Sequence, residues 1–400
     1  MRILVVTNHF YPEVFRVNDV AFDLVKRGHQ VTVITCIPNY PQGHYLSGYG
    51  IFKKRKEVVD GVKVIRVPVI PRGSGKGVRL FLNYLSYLLM ASWCAFLLSF
   101  REKFDRIFVH ETSPVTVGIP AVIMKWRQKI PLYFWVLDLW PESLSAAGGV
   151  SNKYVLSFFR YVVCFLYKYS DKILISSKGF EQSILEKGDY SKKVVYFPNW
   201  GEDVFIKSTL SQIPDLPAGF RIMYAGNIGE AQGFETMMEA ALLLKEFFLI
   251  KWIFIGDGRK RKYIEDFVQQ NDLKDNVFIL GRFPLEKMPS FFAQADVLIL
   301  SLKDEMIFNL TVPAKLQAYM AAAKPVCAVL NGEGAAIVRE ACNGYAVAAG
   351  DTNGLVEQIM KFSNCPSSEL EKLGKNGLKY YNKYFRKDIC MNNLCRIMNL

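Results

Sequence analysis

Short, nearly continuous apolar runs alternate with amphipathic stretches along most of the chain. Residues 2–7 predict a buried strand, 14–27 an amphipathic helix, and 28–35 a glycine stop followed by a second strand, so the chain opens as a βαβ unit. Further strands are predicted at 62–68, 105–111, 130–138, 172–177 and 194–200. At Gly201 the pattern breaks into a polar stretch with Pro214, Pro217 and Gly219, which reads as a linker. A second series follows, with strands at 221–229, 251–258, 277–283, 296–302 and 325–330 and helices at 234–248, 261–271 and 285–293. After residues 344–351 only helices remain, including 372–384, and a basic tail. Two doubly wound α/β domains are therefore expected: 1–200, then 201–385, with 386–400 as a tail packing back on the first domain.

The centre of the second domain is Asp296 to Val329. A buried strand ending at Leu302 is followed by the loop 303–312, longer than most strand-to-helix connections and placed where open parallel sheets bind ligands. Pro313 suits the first turn of the next helix, and Lys315 adds an ammonium to that helix's positive end, an arrangement suited to a phosphate or diphosphate. A plain surface lysine fits the spacing equally. The turn Gly226-Asn-Ile-Gly229 closes a strand before a helix and can line an anion site with its amides, or be a tight turn only; Gly256-Asp-Gly258 marks a second such edge.

In the first domain, residues 130–143 end a strand in Asp138 followed by Trp-Pro-Glu. A carboxylate there suits an orienting or catalytic acid, or a turn cap. The loop Ile37-Pro-Asn-Tyr-Pro-Gln-Gly43 holds Asn39 and Tyr40 on a rigid backbone, as ligand contacts or as a plain turn. The apolar stretch 80–100 is about as long as a membrane span and is flanked by Arg79 and Arg101. It fits a spanning helix, a helix lying in the membrane surface, or a core helix. The strand resumed at 105–111 counts against spanning.

Charge changes the picture of partners. The net charge is +13, in clusters such as 53–56, 72–79 and 259–262, and favours nucleotides or acidic lipid. No zinc-finger or aromatic RNA-binding signature accompanies it, so nucleic acid is not expected. The loop between the first two strands lacks Gly-x-Gly-x-x-Gly, which disfavours a dinucleotide enzyme. Eight scattered cysteines without a Cys-x-x-Cys pair read as reduced core residues of a cytoplasmic protein, and no metal-ligand cluster or Asp-x-Asp pair stands out. Neither a metal nor a cofactor is expected.

Two Rossmann-like halves, the glycine turn, Phe-Pro-Asn-Trp at 197–200, and Ala-Asp-Val-Leu-Ile-Leu-Ser before Val-Pro-Ala-Lys-Leu-Gln-Ala-Tyr-Met resemble a retaining glycosyltransferase of the GT4 family with the GT-B fold. Residues 15–19, 38–43, 83–86 and 138–143 resemble a narrower group, the O-antigen and capsule transferases of the N-acetyl-L-fucosamine type. The resemblance implies domains facing each other across a cleft. It also implies a UDP-sugar donor on the second domain, and a polyprenyl-diphosphate-linked saccharide as acceptor at the cytoplasmic face of the inner membrane, with the protein peripheral (monotopic).

The resemblance assigns donor binding to Gly226, Asn227, Gln232, Arg282, Asp304, Glu305, Asn309, Thr311, Pro313, Lys315 and Gln317. Asn309 and Gln317 stand where the family carries two glutamates, and Asn227 and Gln232 where it carries a basic pair. Lys315 and Arg282 would then neutralise the diphosphate. Asp138 is the candidate for the acceptor hydroxyl, with Glu111 and Glu142 in reserve, and Arg16, Asn18, Asn39 and Tyr40 are the acceptor contacts. Two alternatives stand beside transfer: a UDP-sugar 2-epimerase of the same plan, and an inactive membrane-docked partner of a polysaccharide assembly complex, suggested by the two replaced glutamates.

Overall fold

The computed structural model describes residues 1–206 and 211–400, so part of the expected linker, residues 207–210, lies outside the described residues. The chain divides into two compact units, Met1–Phe197 with Met391–Leu400, and Pro198–Cys390.

The first unit holds β1 (Arg2–Val6), β2 (Gln30–Cys36), β3 (Lys56–Val59), β4 (Val62–Val67), β5 (Arg106–Glu111), β6 (Leu132–Val136), β7 (Lys172–Ile175) and β8 (Val194–Tyr196). They form one sheet in the order β3-β4-β2-β1-β5-β6-β7-β8. All pairs are parallel except β3 with β4. The inner strands carry apolar side chains on both faces because helices cover both. Ile3, Leu4, Val5 and Val6 of β1 are wholly buried. β3 is a strand the apolar pattern does not reveal. It begins in the basic run 53–56, alternates exposed and half-buried residues, and lies at the sheet edge, where Glu57 pairs with the buried Arg66 of β4 at 2.6 Å. The last helix, Lys387–Met398, contributes to this unit: Arg106 Nε donates to the Met398 carbonyl at 3.0 Å, and Arg27 Nη1 to Asn392 Oδ1 at 2.8 Å.

The second unit holds β9 (Phe220–Ala225), β10 (Ile250–Ile255), β11 (Val277–Gly281), β12 (Val297–Ser301), β13 (Val326–Val329) and β14 (Gly344–Val347), all parallel, in the order β11-β10-β9-β12-β13-β14. Both units are Rossmann-like. Strand order reverses direction between β1 and β5 in one and between β9 and β12 in the other, which places a ligand crevice beyond the carboxyl ends of those strands.

Candidate active site

On the second unit, the switch point is built by glycines. Gly226 follows β9 at φ +139°, and a Cβ on it would lie 2.5 Å from Lys315 Cε. A Cβ on Gly256 would lie 1.8 Å from the Gly226 carbonyl oxygen, so the turns after β9 and β10 touch backbone to backbone. Gly226 N donates to Ile255 O at 2.8 Å and Ile228 N to Asp257 O at 2.9 Å, which fixes the two turns together.

Lys315 rises into this corner from the helix Ala314–Ala321, which begins just after Pro313 rather than including it. The ammonium donates to Gln232 Oε1 at 2.5 Å and to Tyr224 Oη at 2.7 Å, and lies 4.5 Å from the centroid of the Tyr224 ring. Tyr224 Oη in turn reaches the Asn227 carbonyl at 2.6 Å. Among the described residues no carboxylate pairs with Lys315, and burial pushes its pKa down to about 7. Lys315 is thus held by neutral acceptors beside two converging turns, an arrangement that can accommodate an anion.

The remaining donor candidates lie around the same sheet edge. Arg282 is largely exposed and lies 3.8 Å from Asp257 Oδ2, so its charge is partly matched already. The loop 303–312 is not plain coil but contains the short helix Met306–Leu310. Asn309 Nδ2 donates to Asp304 Oδ1 at 2.9 Å, and hydrogen bonds from Asn309 and Asn331 hold the exposed Asp304 below its usual range. Thr311 Oγ1 donates back to Ile307 O at 2.7 Å, while Glu305 precedes the short helix and is solvent exposed. Gln317 is buried; its Nε2 donates to the Asn199 carbonyl at 3.2 Å and its Oε1 has no partner among the described residues. Tyr224, which ties Lys315 to the glycine turn, is absent from the sequence-based set. Its only signal is a phenol two residues before a turn glycine, on a strand that is otherwise apolar after Arg221.

On the first unit, Asp138 follows β6 and accepts a short hydrogen bond from Ser113 Oγ, to which Trp140 Nε1 also donates at 3.3 Å. Burial raises the Asp138 pKa, with Ser113, Ser143 and Trp140 opposing that rise. Glu111 is wholly buried beneath it. One carboxyl oxygen accepts the amides of Leu137 at 3.2 Å and Asp138 at 3.3 Å, and the other has no partner among the described residues. Burial, then the nearby Asp138, holds Glu111 well above the usual carboxylate range. Burial also acts to raise Glu142, yet Lys187 Nζ at 2.5 Å and Ser183 Oγ at 2.9 Å outweigh it and hold the carboxylate low. Of the three acids, only Asp138 combines partial exposure with a raised proton affinity and no ion pair.

Two of the four acceptor candidates are committed to the backbone. Asn18 Nδ2 donates to Glu13 O at 2.7 Å and its Oδ1 accepts from Tyr11 N at 3.2 Å. Asn39 is buried, its Nδ2 on Ile37 O at 3.0 Å and its Oδ1 accepting from Arg72 N at 3.2 Å. Tyr40 remains exposed, with the Arg72 guanidinium 4.9 Å from its ring centroid. Arg16 begins the helix Arg16–Lys26, half-buried.

The stretch 80–100 lies in the helix Gly77–Arg101, long and apolar enough to cross a membrane. Tyr87, Ala91, Ala95, Leu98 and Ser99 bury one stripe, which packs on the helix Ile119–Gln128 and on β2 and β4. The opposite stripe is apolar and open: Leu89, Trp93 and Phe100 are each about 60% exposed. A core helix would bury this stripe. The Arg127 guanidinium lies 4.2 Å from the Phe100 ring centroid, and the neighbouring Trp126 packs edge-on against Tyr169 at 5.1 Å, so the open surface continues on to the helix Lys153–Tyr169 with its exposed Phe158 and Tyr161.

Two Rossmann-like units in one chain are the plan of the GT-B fold. Family models agree: "Glycosyl transferase 4-like domain" matches residues 15–200 and "Glycosyl transferases group 1" matches residues 219–364, and with these matches the chain belongs to the GT4-type glycosyltransferases. The chain is 27% identical over 271 residues to the probable glycosyltransferase WbjE of Pseudomonas aeruginosa, covering 65% of this chain and 66% of that protein. It is 27% identical over 317 residues to the putative colanic acid biosynthesis glycosyl transferase WcaI of Escherichia coli K12, covering 74% and 75%. Among solved structures it resembles HepE of Anabaena, in complex with UDP and glucose, with a TM-score of 0.67 at 14% identity, covering 100% and 99%.

Proposed function

We propose that this enzyme moves a sugar, with retention and without a metal, from a UDP-sugar to a polyprenyl-diphosphate-linked saccharide during assembly of a cell-surface polysaccharide. The proposed donor sugar is N-acetyl-L-fucosamine or a related deoxyaminosugar, and the polymer an O-antigen or capsule. The observation that carries the donor half is the unpaired Lys315 ammonium in the glycine corner. The UDP in the HepE complex and the name of WcaI support the donor class and the polymer class.

In this reading Lys315 and the two amides of the 226–229 turn that are not spent on backbone carbonyls among the described residues, those of Asn227 and Gly229, bear the charge that grows on the leaving diphosphate as the bond from the anomeric carbon to the phosphate oxygen breaks. The acceptor hydroxyl forms the new bond on the same face, and its proton passes to Asp138, whose raised proton affinity suits that role. UDP leaves with the electron pair of the broken bond.

The lipid-borne acceptor brings the enzyme to the cytoplasmic face of the inner membrane. Trp93, Phe100, Trp126, Phe158 and Tyr161 provide an apolar surface that can enter the headgroup region, and arginines such as Arg101 and Arg127 lie on the same helices. Each cation near an anionic surface adds on the order of 1 kcal/mol.

The test is a panel of UDP-sugars screened for protection from thermal unfolding, followed by release of UDP in the presence of lipid-linked saccharides. Transfer to the lipid-linked acceptor is expected. Conversion of a soluble UDP-sugar without any acceptor would favour an epimerase, and failure of well-folded protein to bind UDP would favour an inactive partner.

A further inference from the structure

At the carboxyl edge of the first sheet, His9, Glu13 and Phe15 cluster beside Tyr40. His9 follows β1, and its Nδ1 lies 2.6 Å from Glu13 Oε2. The other oxygen of Glu13 accepts the amides of Asn39 and Tyr40, each at 2.7 Å. Glu13 is buried, and these three donors are what make a carboxylate tolerable there. The imidazole stacks on Phe15 at 4.5 Å between centroids and 6° between planes, and meets Tyr40 edge-on at 5.3 Å. Phe15 and Tyr40 also pack on each other at 5.5 Å.

The carboxylate can only accept, so Nδ1 carries a hydrogen, and in the tautomer with that hydrogen alone Nε2 is an acceptor. Among the described residues Nε2 has no partner, although the side chain is only 9% exposed. A ring held on two sides by aromatics, oriented by a buried acid and left without a partner at one nitrogen, is built to receive a hydrogen-bond donor. The neighbouring Asn8 links this corner to Asp138. Asn8 Nδ2 donates to Ser113 O at 3.0 Å, Thr112 Oγ1 donates to Asn8 Oδ1 at 2.9 Å, and Ser113 Oγ donates to Asp138.

We propose that His9, Glu13, Phe15 and Tyr40 form a saccharide-binding site on the first unit. The apolar face of a pyranose lies on the exposed Tyr40 ring and one ring hydroxyl donates to His9 Nε2. Glu13 is a positioning residue that fixes the tautomer. The proposal deepens the acceptor half of the function above and rests on it for the identity of the sugar as acceptor, but not for sugar binding itself.

The experiment is saturation-transfer NMR on the full chain with methyl glycosides of glucose, galactose, fucose and their 2-acetamido analogues at millimolar concentration. Wild type is expected to show transfer to at least one, with His9→Ala at least tenfold weaker. Glu13→Gln keeps an acceptor for the two amides but offers a donor to Nδ1, so Nε2 then carries the hydrogen. It is expected to weaken binding about as much while the thermal midpoint stays near wild type, which guards against a misfolded His9→Ala. Lys315→Ala should keep glycoside binding while losing protection by UDP. That outcome separates the two sites, because a failed donor reading leaves the glycoside signal intact. Transfer to no glycoside in wild type, or undiminished transfer in both His9→Ala and Glu13→Gln, would overturn the proposal.

Discussion

Lys315 Nζ sits 2.5 Å from Gln232 Oε1 and 2.7 Å from Tyr224 Oη, so a buried-side cation is held by two neutral acceptors. Burial without a counter-charge destabilises the free protein, and a bound diphosphate would relieve that cost. Lys315→Met is therefore expected to raise free-state stability by on the order of 1 kcal/mol, as relief of functional strain commonly does. The same change should weaken UDP binding by about 1.5–3 kcal/mol, roughly ten- to over a hundredfold, the range for a charge-assisted hydrogen bond. Thermal melts with and without UDP measure both. A destabilised variant that UDP still protects would count against the assignment.

Gln232→Glu places a carboxylate where the amide oxygen now accepts from Lys315. The pair would neutralise itself, raise the lysine's proton affinity and repel an incoming diphosphate. UDP affinity should fall about tenfold or more, roughly 1.4 kcal/mol, with the thermal midpoint of the free protein unchanged or higher. Calorimetric titration with UDP checks it; tighter binding would contradict the model of an unpaired cation.

The three candidate acids of the first unit should separate by substitution. Glu111 is buried with its proton affinity raised, which favours the neutral form, so Glu111→Gln, a neutral isostere, should alter stability by less than about 1 kcal/mol. Its folded pKa lies above the unfolded one, so the stabilising share of the protonated form is full below the unfolded pKa and lost as pH rises through the folded value. Glu142→Gln instead strands the buried Lys187, whose side chain is 1% exposed, and should cost about 1–3 kcal/mol, less than a fully buried pair because Glu142 is 30% exposed. Denaturant unfolding at pH 7 orders the two. Asp138→Asn should leave the fold intact and lower transfer roughly a hundredfold or more, the usual contribution of a proton-handling group.

Much of this was legible because it is local. The glycines at 226, 229 and 256, the helix beginning at Ala314 and the buried strands announce themselves by periodicity and by turn residues a few positions apart. What escaped depends on partners distant in sequence. Tyr224 meets Lys315 from 91 residues away, Lys187 claims Glu142 from 45, and Glu13 gathers the amides of Asn39 and Tyr40 from 26 and 27. Asn18 and Asn39 have the composition of ligand contacts, but unpaired backbone groups nearby took their amides first. β3 was hidden by its charges, since an edge strand in a basic run lacks an apolar signature.

The proposed membrane contact can be tested without disturbing the fold. Trp93 and Phe100 are about 60% exposed, so changing both to Glu should alter stability by no more than roughly 0.5 kcal/mol each. Co-flotation with vesicles rich in anionic lipid should fall at least tenfold. Unchanged flotation would remove this helix face from membrane contact.

The proton balance of UDP binding probes the Lys315 claim most directly. With the free amine titrating at about 7, the enzyme at pH 8 is largely unprotonated at Lys315, and a diphosphate beside it draws a proton back. UDP affinity should be greatest below pH 7 and fall by up to about tenfold per unit as pH rises above it, until the raised pKa of the complex is passed. Titration calorimetry at pH 8 in two buffers of different ionisation enthalpy should therefore show uptake approaching one proton per UDP by wild type and none by Lys315→Met. Equal affinity and no proton uptake in both proteins would contradict the account.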